Sequence, residues 1–207
     1  MTDSERAAIL KAEMIKIGNK FFEAGDYNLN IVGLRSASDH SNVFDDVMLV
    51  AYKLAGAWHV ERWACTTDPG RAWLANPMRQ AGCAILAPGQ YRSAYELGLH
   101  KGKRALRQVG NLKIWRDNDK DGELDRNGPL LDADPSAGIN IHRAGKDSQL
   151  VDLWSAGCQV FKREADYLLF LDLCDKQHAK GKGWDKFTYT LIDVGDHPAL
   201  LDLMSAH

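Results

Sequence analysis

Residues 45–66, DDVMLVAYKLAGAWHVERWACT, constrain the fold of this chain more than any other stretch. An apolar run rich in branched residues is followed by the small-residue turn Ala55-Gly56-Ala57 and then by a run that alternates. In the second run Trp58, Val60 and Arg62 fall on one side, and His59, Glu61 and Trp63 on the other. A period of two sends successive side chains to opposite faces of a strand, so the segment predicts half-buried strands joined in a meander. Further runs add strands: NIVGLR at 30–35, two runs about the Pro88-Gly89 turn within 82–100, LKIWR at 112–116, GINIH at 138–142 and KFTYTLIDV at 186–194.

Helical spacing occurs at three places. Leu10, Met14, Ile17 and Phe21 predict an amphipathic helix over 4–23, with Asp3 or Ser4 as cap and Gly25 past the end. After Cys158, the positions of Phe161, Ala165, Leu168, Leu169, Leu171 and Leu173 predict a mostly buried helix that begins just past the cysteine. HPALLDLMSAH at the C-terminal end reads as a short helical tail. The expected class is mainly β with accessory helices (α+β), with residues 1–27 as an N-terminal helical segment and 28–207 as a single domain.

The 207 residues carry 26 basic and 28 acidic side chains, a net charge of −2, which argues against a surface built to neutralise phosphates and so against a nucleic-acid partner. No apolar run approaches the length that spans a bilayer, so no membrane insertion is expected. The first residues, MTDSERAAILKAEMIKIGNKFF, mix acids and bases and lack a secretory signal pattern, which leads to an expectation of synthesis in the cytoplasm. The four cysteines form no CxxC pair, so zinc is not expected and the thiols are expected to be free.

One turn has the spacing of half a metal loop. Asp117, Asp119 and Asp121 alternate and Gly122 follows, as in the first half of a calcium loop. The twelfth position is Gly128 where a bidentate Glu is needed, and the segment before it reads as strand. The turn is therefore taken as a solvated hairpin tip, with calcium at these three aspartates as the alternative and no other cofactor expected.

Two reactive side chains frame residues 138–161. A strand ends in His142, and Ser155-Ala156-Gly157-Cys158 makes a small-residue turn. A cysteine nucleophile needs a base and donors for an oxyanion. Ala156 and Gly157 let a substrate backbone come close, Ser155 offers a hydroxyl, and a helix beginning after Cys158 would favour its thiolate.

The His142 strand followed sixteen positions later by the Ser155–Cys158 turn resembles the signature of the L,D-transpeptidase catalytic domain family, cysteine enzymes that remodel peptidoglycan. WHVERWACTTDPGRAWL, at 58–74, is similar to that family's strand leading into a Thr-Pro-x-Gly turn, and the resemblance covers about residues 28–195. The chain departs from the pattern at Arg143, where the family has Gly, and at Ala156, where it often has His. It departs also at Val160, where an Arg is common, and at Thr67-Asp68-Pro69-Gly70. These departures mark a divergent branch.

The resemblance implies a β-sandwich with a cleft, a thioester formed at Cys158, and His142 as the base. It implies an oxyanion held by amides near Gly157 and Cys158 with help from Ser155. Arg143, Tyr91, Arg92 and His100 become candidates for binding substrate. The resemblance leaves the acyl group to pass to water or to another amine. The lack of an export signal favours cutting, so the expected activity is a cysteine peptidase that cuts peptidoglycan stem or cross-link peptides. The alternatives are an L,D-transpeptidase that forms cross-links and a non-catalytic binding or structural protein. A wall enzyme made without an export signal is expected to be a phage lysis enzyme (endolysin) released through a holin, or a toxin delivered by a secretion machine. Either would wait in the cytoplasm and act at the cell wall.

Overall fold

The computed structural model describes residues 1–38 and 40–205. The strands are β1 (Asn30–Arg35), β2 (Asp46–Leu54), β3 (Ala57–Thr66), β4 (Cys83–Leu86), β5 (Gly89–His100), β6 (Lys103–Gln108), β7 (Leu112–Asp117), β8 (Leu131–Ala133), β9 (Ile141–Arg143), β10 (Gln159–Phe161) and β11 (Lys186–Asp193). The α-helices are α1 (Asp3–Lys16), α2 (Arg71–Ala75) and α3 (Glu164–His178). The mainly-β, α+β class is thus present. The strands do not stack as the two sheets of a sandwich, however. Eight of them close into one barrel in the order β1-β11-β5-β6-β9-β10-β3-β2, and β4, β7 and β8 form a separate three-stranded sheet. Closure comes from two parallel pairings that local pattern does not encode, β1 with β11 and β9 with β10.

The β2–β3 hairpin pairs from Asp46↔Cys65 to Leu54↔Ala57. Its turn residues Ala55 and Gly56 both have positive φ, 49° and 82°, the handedness that matches the twist of the flanking strands. Alternation then sorts the side chains. Ile31, Met48, Val50, Trp63, Cys65, Leu106, Ile141, Phe161, Tyr189 and Leu191 belong to the interior cluster, while Val32, Leu34, Val47, Leu49, Val60 and Ile192 form a second cluster with α1. Helix α3 adds Tyr167, Phe170 and Leu171 to the interior, and its Gln177 Oε1 accepts from Leu29 N at the end where β1 starts.

Helix α1 is shorter than its apolar spacing predicts. Thr2, one residue before the expected cap, forms a capping box with Glu5. Gly18, at φ +78°, stops the helix: its N–H bonds Ile15 O, and Asn19 N–H reaches back to Met14 O. Ile17 is therefore left 38% exposed, and Phe21 enters the core from an irregular segment. Cys158 precedes strand β10 rather than a helix, and α3 starts only at Glu164. Leu168 and Leu169, expected inside, are each 57% exposed.

The end of the barrel where β1 finishes holds charges. Arg35, fully buried, bonds Thr67 Oγ1, Thr67 O and Leu86 O through its guanidinium and ion-pairs with Asp68 and Asp193. Arg126 pairs with the other oxygen of Asp68 at 2.7 Å. Asp46 accepts from Thr67 N, Thr67 Oγ1 and Ser36 N, and burial, then the charge on Asp68, push its carboxyl up to about 7. This network fixes the Thr67–Gly70 turn, whose Gly70 N–H donates to Ser155 O. The Ser155–Cys158 turn is thereby tied to the charged end of the barrel.

Candidate active site

Cys158 and His142 reach one region through the parallel β9–β10 pair. His142 pairs with Val160, and Cys158 clusters with Val160 and Ala144, away from the interior residues Ile141 and Phe161. Both are nearly buried, at 7% exposure for His142 and 9% for Cys158.

The imidazole is held in one tautomer. Its Nδ1 lies 2.9 Å from the carbonyl oxygen of Arg143. A carbonyl only accepts, so Nδ1 carries the proton and Nε2 keeps its lone pair. Nε2 is buried and has no hydrogen-bond partner among the described residues. Burial above all, with smaller contributions from His100, Lys101 and Arg143, brings His142 down to about 4.

The thiol is not bonded to that nitrogen. Cys158 Sγ donates to Gly138 O and accepts from Asn140 N, each at 3.4 Å. Burial pushes the thiol up to about 11, against a weaker lowering by the Asn140 amide and Lys101. Cysteine and histidine are thus both neutral near pH 7, in contrast to the thiolate that a helix start would have favoured.

Ser155 and Gly157 shape the turn. Ser155 Oγ donates to Cys158 O at 2.8 Å and accepts from Gly157 N at 3.2 Å. Both groups are committed to the turn itself, so in this geometry neither is available to an oxyanion. Gly157 has φ +117°, and a Cβ there would overlap the carbonyl oxygen of Ala84 in β4. Gln159 Nε2 donates to Gly157 O, while Gln159 Oε1 accepts from Tyr189 Oη at 2.9 Å. A glycine in β1, Gly33, leaves the space that the Tyr189 hydroxyl fills. Gln159, Tyr189 and Gly33 support the turn from inside the barrel, a role that none of them announces in the sequence.

The other expected residues separate. His100 does join the site: its ring stacks on His142, and its Nδ1 accepts from Asn140 Nδ2 at 3.0 Å. Asn140 Oδ1 is occupied by Gln108 N–H, which fixes the orientation of the amide. Arg143 lines the cavity beside His142 but ion-pairs with Glu164 at 2.8 Å. Tyr91 is buried and donates to Ala87 O and Lys113 O. Arg92 lines a different surface depression with Gln177 and Trp184. Neither of these two lines the His142 cavity.

That cavity, of about 150 Å³, is walled by His142, His100, Lys101, Lys103, Trp154 and their neighbours. Lys101 and Lys103 escape a reading of the sequence because it is the β6–β9 pairing that brings the β5–β6 hairpin beside His142. Asn140 lies two residues from His142, but no local pattern marks it.

The aspartate-rich turn is occupied by its own backbone. Asp119 accepts from Asp121 N, Asp121 from Glu123 N and Asp117 from Asp125 N. Among the described residues, no group of three or more His, Cys, Asp or Glu side chains is placed to hold a metal ion. All four cysteines are free and buried. No described helix is long and apolar enough to cross a membrane.

No family model, no curated protein and no solved structure matches the chain.

Proposed function

We propose that this protein is a cysteine peptidase that cleaves peptidoglycan stem or cross-link peptides through a thioester at Cys158, with His142 as proton carrier. The observation that supports this most is the unpartnered, buried Nε2 of His142, held as a base by the Nδ1 contact with Arg143 O, in the same outer-face region as the Cys158 thiol. A buried nitrogen without a partner costs stability, so a fold that keeps one has a use for it.

In this reading the thiol swings from Gly138 O toward Nε2 when substrate enters. Nε2 takes the proton as sulfur bonds to the peptide carbonyl carbon, and the electron pair of the C=O moves onto oxygen. The Cys158 amide donates to that oxyanion. The C–N bond then breaks, with His142 returning the proton to the leaving amine. Water, deprotonated by His142, attacks the thioester and releases the acid and the thiol. An amine acceptor in place of water would make a cross-link instead, which is the transpeptidase alternative.

The test is mass spectrometry of sacculi digested with wild type and with Cys158→Ala. New muropeptides from wild type alone are expected. Product masses that include water indicate hydrolysis, and joined peptides indicate transfer. Equal products from the two proteins would end the mechanism. The hydrogen bonds that occupy the Cys158 thiol away from His142 favour a second reading, a non-catalytic binding protein. Absence of new products from either protein would support it.

A further inference from the structure

The cavity beside His142 carries more positive charge than the fold consumes. The β5–β6 hairpin turns through Lys101 and Gly102, both at positive φ, and this places Lys101 and Lys103 on the cavity wall. Two other cations line it, but each has an acid: Arg104 pairs with Asp175 at 2.6 Å, and Arg143 with Glu164. Lys101 and Lys103 have no ion-pair partner among the described residues, and none of the lining residues is acidic. The uncompensated charge therefore belongs to the two lysines.

We infer that this cavity is an anion subsite, in which Lys101 and Lys103 receive a carboxylate at the end of a short aliphatic group of the substrate. The inference rests on the proposed thioester chemistry and names a feature of its substrate. Size and lining select the class. A volume near 150 Å³ holds a group about as large as a benzene ring and excludes a nucleotide. Trp154 and Leu153 supply an apolar wall that a small inorganic anion would leave unused. Lysine ammonium groups act as point charges, which suits a carboxylate that moves as the reaction proceeds. Asn140 links the subsite to the thiol: its N–H donates to Cys158 Sγ, and its side-chain amide donates to His100, which lines the cavity.

The test compares alkylation of Cys158 by iodoacetate and by iodoacetamide at pH 8.5 and low salt, read from the mass of the Cys158 peptide. The two reagents differ chiefly in charge. Asn tolerates positive φ, so the variant is Lys101→Asn with Lys103→Gln. Removing two cations near the thiol is expected to lower the iodoacetate-to-iodoacetamide rate ratio about five-fold. Raising the salt to ~0.5 M should erase most of the wild-type preference, because exposed charges are screened over a few ångströms at that strength. A Lys101→Asn, Lys103→Glu variant should lower the ratio further. Labelling by both reagents with a ratio that neither variant nor salt changes overturns the anion subsite alone. Failure of both reagents to label Cys158 overturns the nucleophile assignment and the subsite with it.

Discussion

The imidazoles of His100 and His142 lie face to face, with centroids 4.3 Å apart and planes 10° from parallel. Asn140 bonds His100 on one side of this pair and the Arg143 carbonyl bonds His142 on the other. The Asn140 bond leaves His100 unprotonated at Nδ1, and burial disfavours protonation of both rings, against a weaker opposing pull of the Arg143 carbonyl on His142. The stack packs one face of the His142 ring against His100.

A stability difference follows from the His142 shift. Its pKa in the fold is about 4, below the ordinary 6.5. The unfolded chain therefore binds a proton between pH 6.5 and 4 where the folded chain does not, and stability from this group is full above 6.5 and lost as pH falls toward 4. Asp46, raised to about 7, acts in the opposite sense and masks the slope in wild type. Comparison with His142→Phe cancels the Asp46 contribution. Urea unfolding should show the variant gaining ~2–3 kcal/mol relative to wild type between pH 7.5 and pH 4.5. A difference that stays constant with pH would mean that His142 titrates normally.

Gly157→Ala should damage both stability and the thiol. The substitution forces a Cβ into the Ala84 carbonyl at a φ of +117°. A cost of about 2–4 kcal/mol is expected from strain and overlap together. The midpoint of urea unfolding should fall accordingly, and the Cys158 alkylation rate should change because the turn must move. Gly181→Ala, at a positive φ with open space around it, is the control and should cost only about 1 kcal/mol.

Much of the barrel wall was legible from residues alone. The opposite faces of Trp58–Trp63 and the turn at Ala55-Gly56 appear as read, because a half-buried hairpin carries both a period and a turn signal. Strand β10 was read as the start of a helix. It is three residues long, and its strand character comes from pairing with β9 and β3, not from its own sequence. Closure into a barrel was hidden for the same reason, since β1 meets β11 across most of the chain. At the site, His142, Cys158 and His100 stand out by residue type. Lys101 and Lys103 look like a solvated turn until the hairpin is folded onto β9. Tyr91 and Arg92 share the sequence neighbourhood of His100, but β5 is twelve residues long and carries them away from it.

Coupling between Gly33 and Tyr189 can be measured directly. Gly33→Ala collides with the Tyr189 hydroxyl, and Tyr189→Phe removes that hydroxyl while leaving Gln159 Oε1 without its donor. Tyr189→Phe alone should cost about 1–3 kcal/mol. In the double variant the Cβ at position 33 meets less, so the summed cost should exceed that of the double variant by about 1 kcal/mol or more. Additive costs would show that the β1 glycine is not there to admit the tyrosine.

The neutral state of the cysteine and histidine sets how reactivity should vary with pH. A cysteine ion-paired to a histidine shows a plateau of alkylation from mildly acidic pH upward, because the thiolate already exists there. Here burial holds the thiol at about 11 and the imidazole at about 4, and no hydrogen bond joins them. Iodoacetamide labelling of Cys158 should therefore climb about ten-fold per pH unit from pH 7 to pH 10, with no plateau near neutrality. His142→Gln should leave that slope unchanged, since His142 does not hold the proton of the free thiol. On the proposed mechanism peptide turnover should behave differently, because the proton would move to Nε2 only as sulfur meets the carbonyl. Its kcat/KM should stay nearly flat between about pH 5 and pH 10, bounded by the two free-enzyme values. A labelling plateau below pH 8 would show that the pair is ionised at rest and that the thiol has already left Gly138 O for His142.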